Sequence, residues 1–183
     1  MQLDEAIRSR RTVRQFRPDP VDPALVAELI ELATWAPNHR MAEPWHFYVA
    51  MGAAKEPLCA IHRELVLEEA PLQAERAEAR YRKLLAIPVF LVVTVQGDEN
   101  PKRDLENYAA VCCAIQNLSL AAHARGLGTV WRTGNVIRDR RTRQWLGLGA
   151  TERIVGLVQL GYPAVCPLPP ARTPAQAKAT FLR

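Results

Sequence analysis

Hydrophobic and polar positions follow helical spacing over much of this chain and give way to unbroken apolar runs at a few places. Leu3, Ala6 and Ile7 form a short apolar stripe, which predicts a first helix ending near Arg8. Asp22-Pro23 supplies an N-cap and a first-turn proline. Leu25, Val26, Leu29, Ile30 and Ala33 then share one face opposite Glu28 and Glu31, and Pro37 stops the helix with Trp35 on its last turn. Residues 53–70 and 71–86 carry two more helical patterns, the second highly charged. The continuous run Val89 to Val95, started by Pro88, predicts a central strand buried on both faces. His46–Met51, Leu127–Trp131 and Ile154–Leu160 read as further strands, and Asp139–Leu146 as a short basic helix.

The stretch from Asp104 to Arg125, with Asp104 as cap and Gly126 as stop, is small or apolar nearly all round. Such a helix either runs through the core or meets a second subunit. Pro37 to Trp45 has prolines and no apolar period, so it is a loop. After Pro163 the prolines recur, which predicts an arm lying on another surface or a disordered tail.

Composition narrows this picture. A chain of 183 residues with 49% hydrophobic content fits one domain, 1–183, whose proline-rich arm is 163–183. No apolar run reaches the roughly 20 residues of a membrane span, and the amino terminus has no secretory pattern. Cys59, Cys112, Cys113 and Cys166 lack ligand spacing, as do His39, His46, His62 and His123; buried thiols at 112 and 113 and a reducing cytoplasm are expected. The net charge of +5 gathers in Arg8 to Arg17 and Arg132 to Arg143, a clustering that favours a discrete anion over a long polyanion. There is no GxGxxG after a strand, no Walker A sequence and no nucleophile elbow.

Arg8-Ser9-Arg10-Arg11-Thr12-Val13-Arg14-Gln15-Phe16 concentrates guanidinium forks and hydroxyls in a connector between helices. That chemistry suits phosphate oxygens; a solvated basic turn has the same composition, and both readings stand at this point. His39 in the proline-flanked loop is equally open between ligand contact and plain exposure.

Taken together, Arg10 to Phe16, Ala36-Pro37-Asn38-His39, Glu43 to Phe47, Gly126 to Gly134 and Ile154 to Gly161 resemble the FMN-dependent nitroreductase family, in its small bacterial form. These blocks lie in the family's order across residues 3–163, while 53–86 and the tail match poorly. The resemblance implies an α+β, three-layer fold with a mainly antiparallel sheet flanked by helices. It also implies an intertwined homodimer with FMN at the subunit interface, which would place the 104–125 helix there. By position, Arg10, Arg11 and Thr12 would hold the FMN phosphate and ribityl chain. Trp35 and His39 would reach the flavin from the partner chain, and Trp131, Arg132 and Thr133 would complete its site. Ala121, Ala122, His123, Ala124, Arg125 and Gly126 correspond to a segment that contacts NAD(P) in relatives, and Arg8, Arg14 and Arg17 would shape the field or pair with glutamates.

The implied activity is hydride transfer from NADH or NADPH through flavin N5 to an electron-poor acceptor such as a nitroaromatic or quinone. It is ping-pong and needs no catalytic side chain of its own and no metal. A non-catalytic FMN-binding or storage protein would carry the same clasp. A basic nucleic-acid-binding domain is the reading from a different class, and nothing in the motifs calls for nucleic acid or membrane as a partner.

Overall fold

The continuous apolar runs occupy the middle of the sheet. In the computed structural model, which describes residues 1–182, the four strands are β1 (Trp45–Met51), β2 (Val89–Gln96), β3 (Gly128–Arg132) and β4 (Glu152–Gly161). They lie in the order β1-β2-β4-β3, and every pairing is antiparallel. All residues of β2 from Val89 to Val95 are buried. The reason is a helical layer on each face. On one side α2 (Pro23–Thr34) and α5 (Pro101–Ala124) pack Leu29, Val111 and Leu118 onto Val89, Leu91 and Val93. On the other, α3 (Glu56–Glu69), α4 (Ala74–Leu85) and α6 (Arg140–Leu146) cover Phe90, Val92 and Leu157. Each fully buried leucine of this kind contributes roughly 1.5–3 kcal/mol through removal from water. Burial on both faces is what an unbroken apolar strand reports, whether or not its neighbours run parallel.

Local chemistry sets the helix ends. The Asp22 carboxylate accepts the Ala24 N–H at 2.9 Å, as its place before Pro23 predicts, and α2 ends at Thr34 with Trp35 as its C-cap. The long helix starts earlier than its apolar pattern implies. Asn100, not Asp104, is the cap, accepting the N–H groups of Lys102 and Arg103 ahead of Pro101 in the first turn. Asp104 instead accepts the Asp98 N–H and pairs with Arg153 at 2.7 Å. The Lys55 ammonium is buried where it donates to the Leu85 and Ile87 carbonyls, tying the start of α3 to the end of α4. Arg141 pairs with Glu64, Glu68 and Asp139 and thereby clamps α6 to α3. Cys59 is buried, which pushes its thiol up to about 11. Cys113 is exposed and Cys112 half-buried, contrary to the expectation of two buried thiols: Cys112 packs at the margin of the core cluster of Val111, Ala114 and Ile115, and Cys113 lies on the open face of α5.

The arginine connector follows α1 (Leu3–Ser9) and runs along the free edge of β3. Val13 N–H donates to the Thr129 carbonyl at 3.0 Å, and Thr12 bridges Thr129 in parallel register. A Cβ on Gly128 would lie 2.5 Å from Val13 Cγ2, so the close approach of connector to strand needs glycine there. The chain after β4 comes back over the connector, with Ala164 N–H on the Gln15 carbonyl at 2.9 Å. The residues beyond it are exposed and contain a short 3-10 turn, Ala175–Lys178. Among the described residues, no helix is long and apolar enough to cross a membrane.

Candidate functional site

Because Val13 is fastened to β3 and buried, its neighbours Thr12 and Arg14 are turned outward. They and Arg10 and Arg11 line a cleft of about 570 Å³ whose far wall is the returning tail, including Leu168 and Arg172. Burial, then Arg11 and Arg172, lower the pKa of the Arg10 guanidinium, so three cations share one field. Arg11 donates through one terminal nitrogen to the Arg8 and Arg10 carbonyls at 2.7 Å, while its buried Nε has no partner among the described residues. Buried donors without acceptors and mutually repelling cations are costly unless an anion completes them.

A histidine backs this clasp. His123 Nε2 lies 2.7 Å from Ser9 Oγ, whose own proton goes to the Glu5 carbonyl. Nε2 must therefore carry the hydrogen and donate to Ser9. Burial, then Arg10 and Arg11, lower the His123 pKa and favour the neutral ring.

A second cleft of about 430 Å³ opens where β3 ends. Trp131, Arg132 and Thr133 form one wall, and His62 of α3 and Arg80 of α4 form another. Arg132 Nε and His62 Nδ1 are buried without partners among the described residues. Burial, then Arg80 and Arg14, lower the Arg132 pKa. Burial likewise lowers that of His62, with Arg80 and Arg132 adding to it. Arg14 thus lines the first cleft and acts on the second. The Trp131 ring rests against Gly156, where any Cβ would overlap the indole, and Nε1 donates to the Val155 carbonyl at 3.4 Å. That contact presents a partly exposed aromatic platform beside the cations.

The arginine-rich stretches are thereby sorted. Arg17 pairs with Asp19, Arg141 is spent on the α6 clamp, and Arg143 donates to the Glu152 and Gly149 carbonyls. Arg10, Arg11, Arg14, Arg80, Arg132 and Arg172, which line the clefts, have no salt-bridge partner among the described residues.

Other expected site residues lie apart. Trp35 is 79% exposed, and His39 is exposed with its Nδ1 3.8 Å from Glu106; neither lines either cleft of the chain. Their loop holds Arg40, Met41 and Glu43 at positive φ, fixed in part by Glu43 N–H on the Asn38 side-chain oxygen. In the 121–126 segment, Ala122 is a core residue: its side chain is fully buried, and its carbonyl accepts from both Arg125 and Leu127. Ala121 packs partly on the core, Arg125 pairs with Glu28, Gly126 takes the helix-ending φ of 76°, and Ala124 is exposed. His123 alone of this segment reaches the clasp.

Arg172, Arg80, His62 and the double role of Arg14 escaped sequence reasoning. Arg172 is hidden in a proline-rich tail, and Arg80 sits in a helix whose charges look solvated. The one available signal was the recurrence of Arg76, Arg80 and Lys83 on one face of α4.

Known proteins resemble this chain in sequence and fold. The sequence pattern described as "Nitroreductase family" matches residues 7–162. YfhC of Bacillus subtilis, whose name provisionally assigns it as an NAD(P)H nitroreductase, is 36% identical, with 97% of this chain and 93% of YfhC covered. The crystal structure of a nitroreductase-like family protein from Bacillus cereus superposes with a TM-score of 0.89 at 33% identity, covering 100% of this chain and 96% of that one. A nitroreductase from Desulfovibrio desulfuricans, solved in complex with FMN, shares the fold at a TM-score of 0.77 and 23% identity, covering 100% and 98%.

Proposed function

The chain belongs to the nitroreductase family, and from that premise we propose that it is an NAD(P)H-dependent oxidoreductase that holds FMN and reduces an electron-poor small molecule such as a nitroaromatic or quinone. The observation that carries this reading is the set of unpaired guanidiniums drawn from both ends of the chain. Arg10, Arg11 and Arg172 converge on one cleft with the Thr12 hydroxyl beside them, a donor set for a phosphate dianion. The Trp131 platform beside Arg132 and Thr133 suits a planar ring next to positive charge. The names of the matched relatives, one for NAD(P)H and one solved with FMN, point the same way.

FMN held by Arg10, Arg11, Thr12 and Arg172 would supply the redox chemistry, hydride acceptance from NAD(P)H and onward electron transfer. For a nitro acceptor the balance is one NAD(P)H and one proton consumed, with the nitroso product, water and NAD(P)+ released. The protein's part is binding and electrostatics. Arg10, Arg11, Thr12 and Arg172 anchor the phosphate, and His123 steadies the clasp through Ser9. Arg14 and Arg132 hold a positive field in the second cleft, where negative charge gained on reduction is stabilised.

The site is completed by a second copy of the chain. Along α5, Leu105, Ala109, Cys113 and Gln116 form an exposed stripe opposite the buried face. Leu3, Ile7, Trp35 and Met41 add exposed apolar surface, and the strained 39–43 loop beside them carries His39. In a homodimer, Trp35 and His39 would serve the partner's flavin, which accounts for their distance from the clefts of their own chain.

Anaerobic spectroscopy tests this. Protein loaded with FMN should be yellow, should bleach with NADH or NADPH, and should recolour when a nitroaromatic is added. It should sediment at twice the 20.5 kDa chain mass. Full flavin loading without bleaching by either donor would leave an FMN carrier instead of a reductase.

A further inference from the structure

We infer that the second cleft selects acceptors bearing an anionic group, a carboxylate or sulfonate on the ring to be reduced, and that Arg80 of α4 is the residue that recognises it. The inference rests on the flavin reading and assigns the cleft's remaining charge. The phosphate has its own cations in the first cleft, and Arg132, on the end of β3, is linked to that cleft through Arg14. Arg80 comes from a different element and from the opposite wall, together with His62. Among the described residues, no carboxylate lies within ion-pair distance of Arg80. Glu69, the carboxylate lining this cleft, accepts from Asn135 at 2.9 Å.

His62 Nδ1 and Arg132 Nε, on residues that line this cleft, are buried without hydrogen-bond partners among the described residues. Glu69 offsets one of the two guanidinium charges of Arg80 and Arg132, and the charge left over is one that an anionic acceptor would balance and a neutral one would not. Arg80 and His62 also line a neighbouring depression with Arg76 and Lys83, so the cation in the cleft continues into a basic helix face reaching solvent. That face draws anions towards the cleft and makes capture sensitive to ionic strength.

The test uses the FMN-loaded protein with saturating NADH and a matched pair of acceptors, 3-nitrobenzoate and its methyl ester. Each variant's kcat/KM is divided by the wild-type value for the same compound, so the intrinsic reactivity of acid and ester cancels. In Arg80→Gln the acid-to-ester ratio should fall about tenfold, the scale of one lost charge-assisted hydrogen bond. Arg80→Lys should restore it to within about threefold, because the positive charge returns. Added salt should lower wild-type kcat/KM for the acid, and the Arg80→Gln value less steeply, because Arg76, Lys83 and Arg132 remain. An unmoved ratio in Arg80→Gln overturns the inference. A fall in the NADPH-to-NADH preference without a change in the acid-to-ester ratio also overturns it, assigning Arg80 to the donor's extra phosphate. Loss of visible flavin absorbance in Arg80→Gln overturns it too, making Arg80 a flavin contact. A wild-type protein that takes up no FMN is a separate outcome, which removes the flavin reading itself.

Discussion

The two basic clefts are built by opposite means. The first takes Arg10, Arg11, Thr12 and Arg14 from a single run of sequence, and strand-like pairing of Val13 with Thr129 decides which of them face outward. The second gathers His62, Arg80 and Arg132 from α3, α4 and the end of β3, elements that no local bonding brings together. Its geometry depends on packing and on remote clamps: the Lys55 ammonium joining α3 to α4, and Arg141 joining α3 to α6. A contiguous site inherits its shape from backbone register. A dispersed site is only as exact as the tertiary contacts behind it, and it can change its chemistry by one substitution on one helix. The first suits an invariant task such as anchoring a phosphate, the second a variable one such as tuning charge and choosing a substrate.

That division of labour can be broken by experiment. The largest effect is expected from removing both clasp arginines: in Arg10→Ala/Arg11→Ala, FMN affinity should fall about a hundredfold or more, since two charge-assisted contacts are lost. Quenching of free-flavin fluorescence measures this, and circular dichroism should show the fold retained, because neither guanidinium is needed by the core. Unchanged affinity would return the clasp to a solvated turn. Arg132→Gln should behave differently, keeping FMN within a few-fold while slowing flavin bleaching by NADH about ten- to a hundredfold, the cost of a lost charge-stabilising group. Were it to lose FMN as completely as the double variant, anchoring and tuning would not be separate tasks.

The smallest effect is a proton linkage. The folded His123 has its pKa lowered below the usual 6.5, so the unfolded chain binds a proton more readily. Stability carried by the neutral ring is therefore present above the ordinary histidine range and is lost as pH falls through it. Flavin-free protein should melt a few degrees lower at about pH 5.5 than at about pH 7.5, and His123→Gln should flatten part of that slope. Bound FMN should flatten it as well, because a phosphate near Arg10 and Arg11 offsets their field at His123. An identical slope in wild type and variant would detach His123 from the clasp.

Much of this was legible along the chain, for reasons that are local. The cap Asp22, the short helix that begins beside Asp139 and the apolar runs of β2 and β4 act through neighbours a few residues away or through plain burial, so their pattern declares them. Asp104 shows where local reading slips. It is a good capping residue, but Asn100 stands beside Pro101 and takes the cap, leaving Asp104 to bind Asp98 and Arg153.

The basic run at 8–17 is visible in the sequence because its guanidiniums are contiguous, and it reads there as either an anion clasp or a solvated turn. The sequence could not say which arginines are free. Arg141 and Arg143 resemble Arg132 on paper, and only the fold supplies Glu64, Glu68 and the Glu152 carbonyl that engage the first two and leave Arg132 facing a cleft. Arg172 became the third cation of the clasp only when the tail returned over Gln15, and Arg80 entered the second cleft only when α4 packed beside α3. Composition and short-range pattern determine elements, layers and the sign of the charge. Partnership between charges far apart in the chain is a property of distance in space, and the tertiary structure alone decides it.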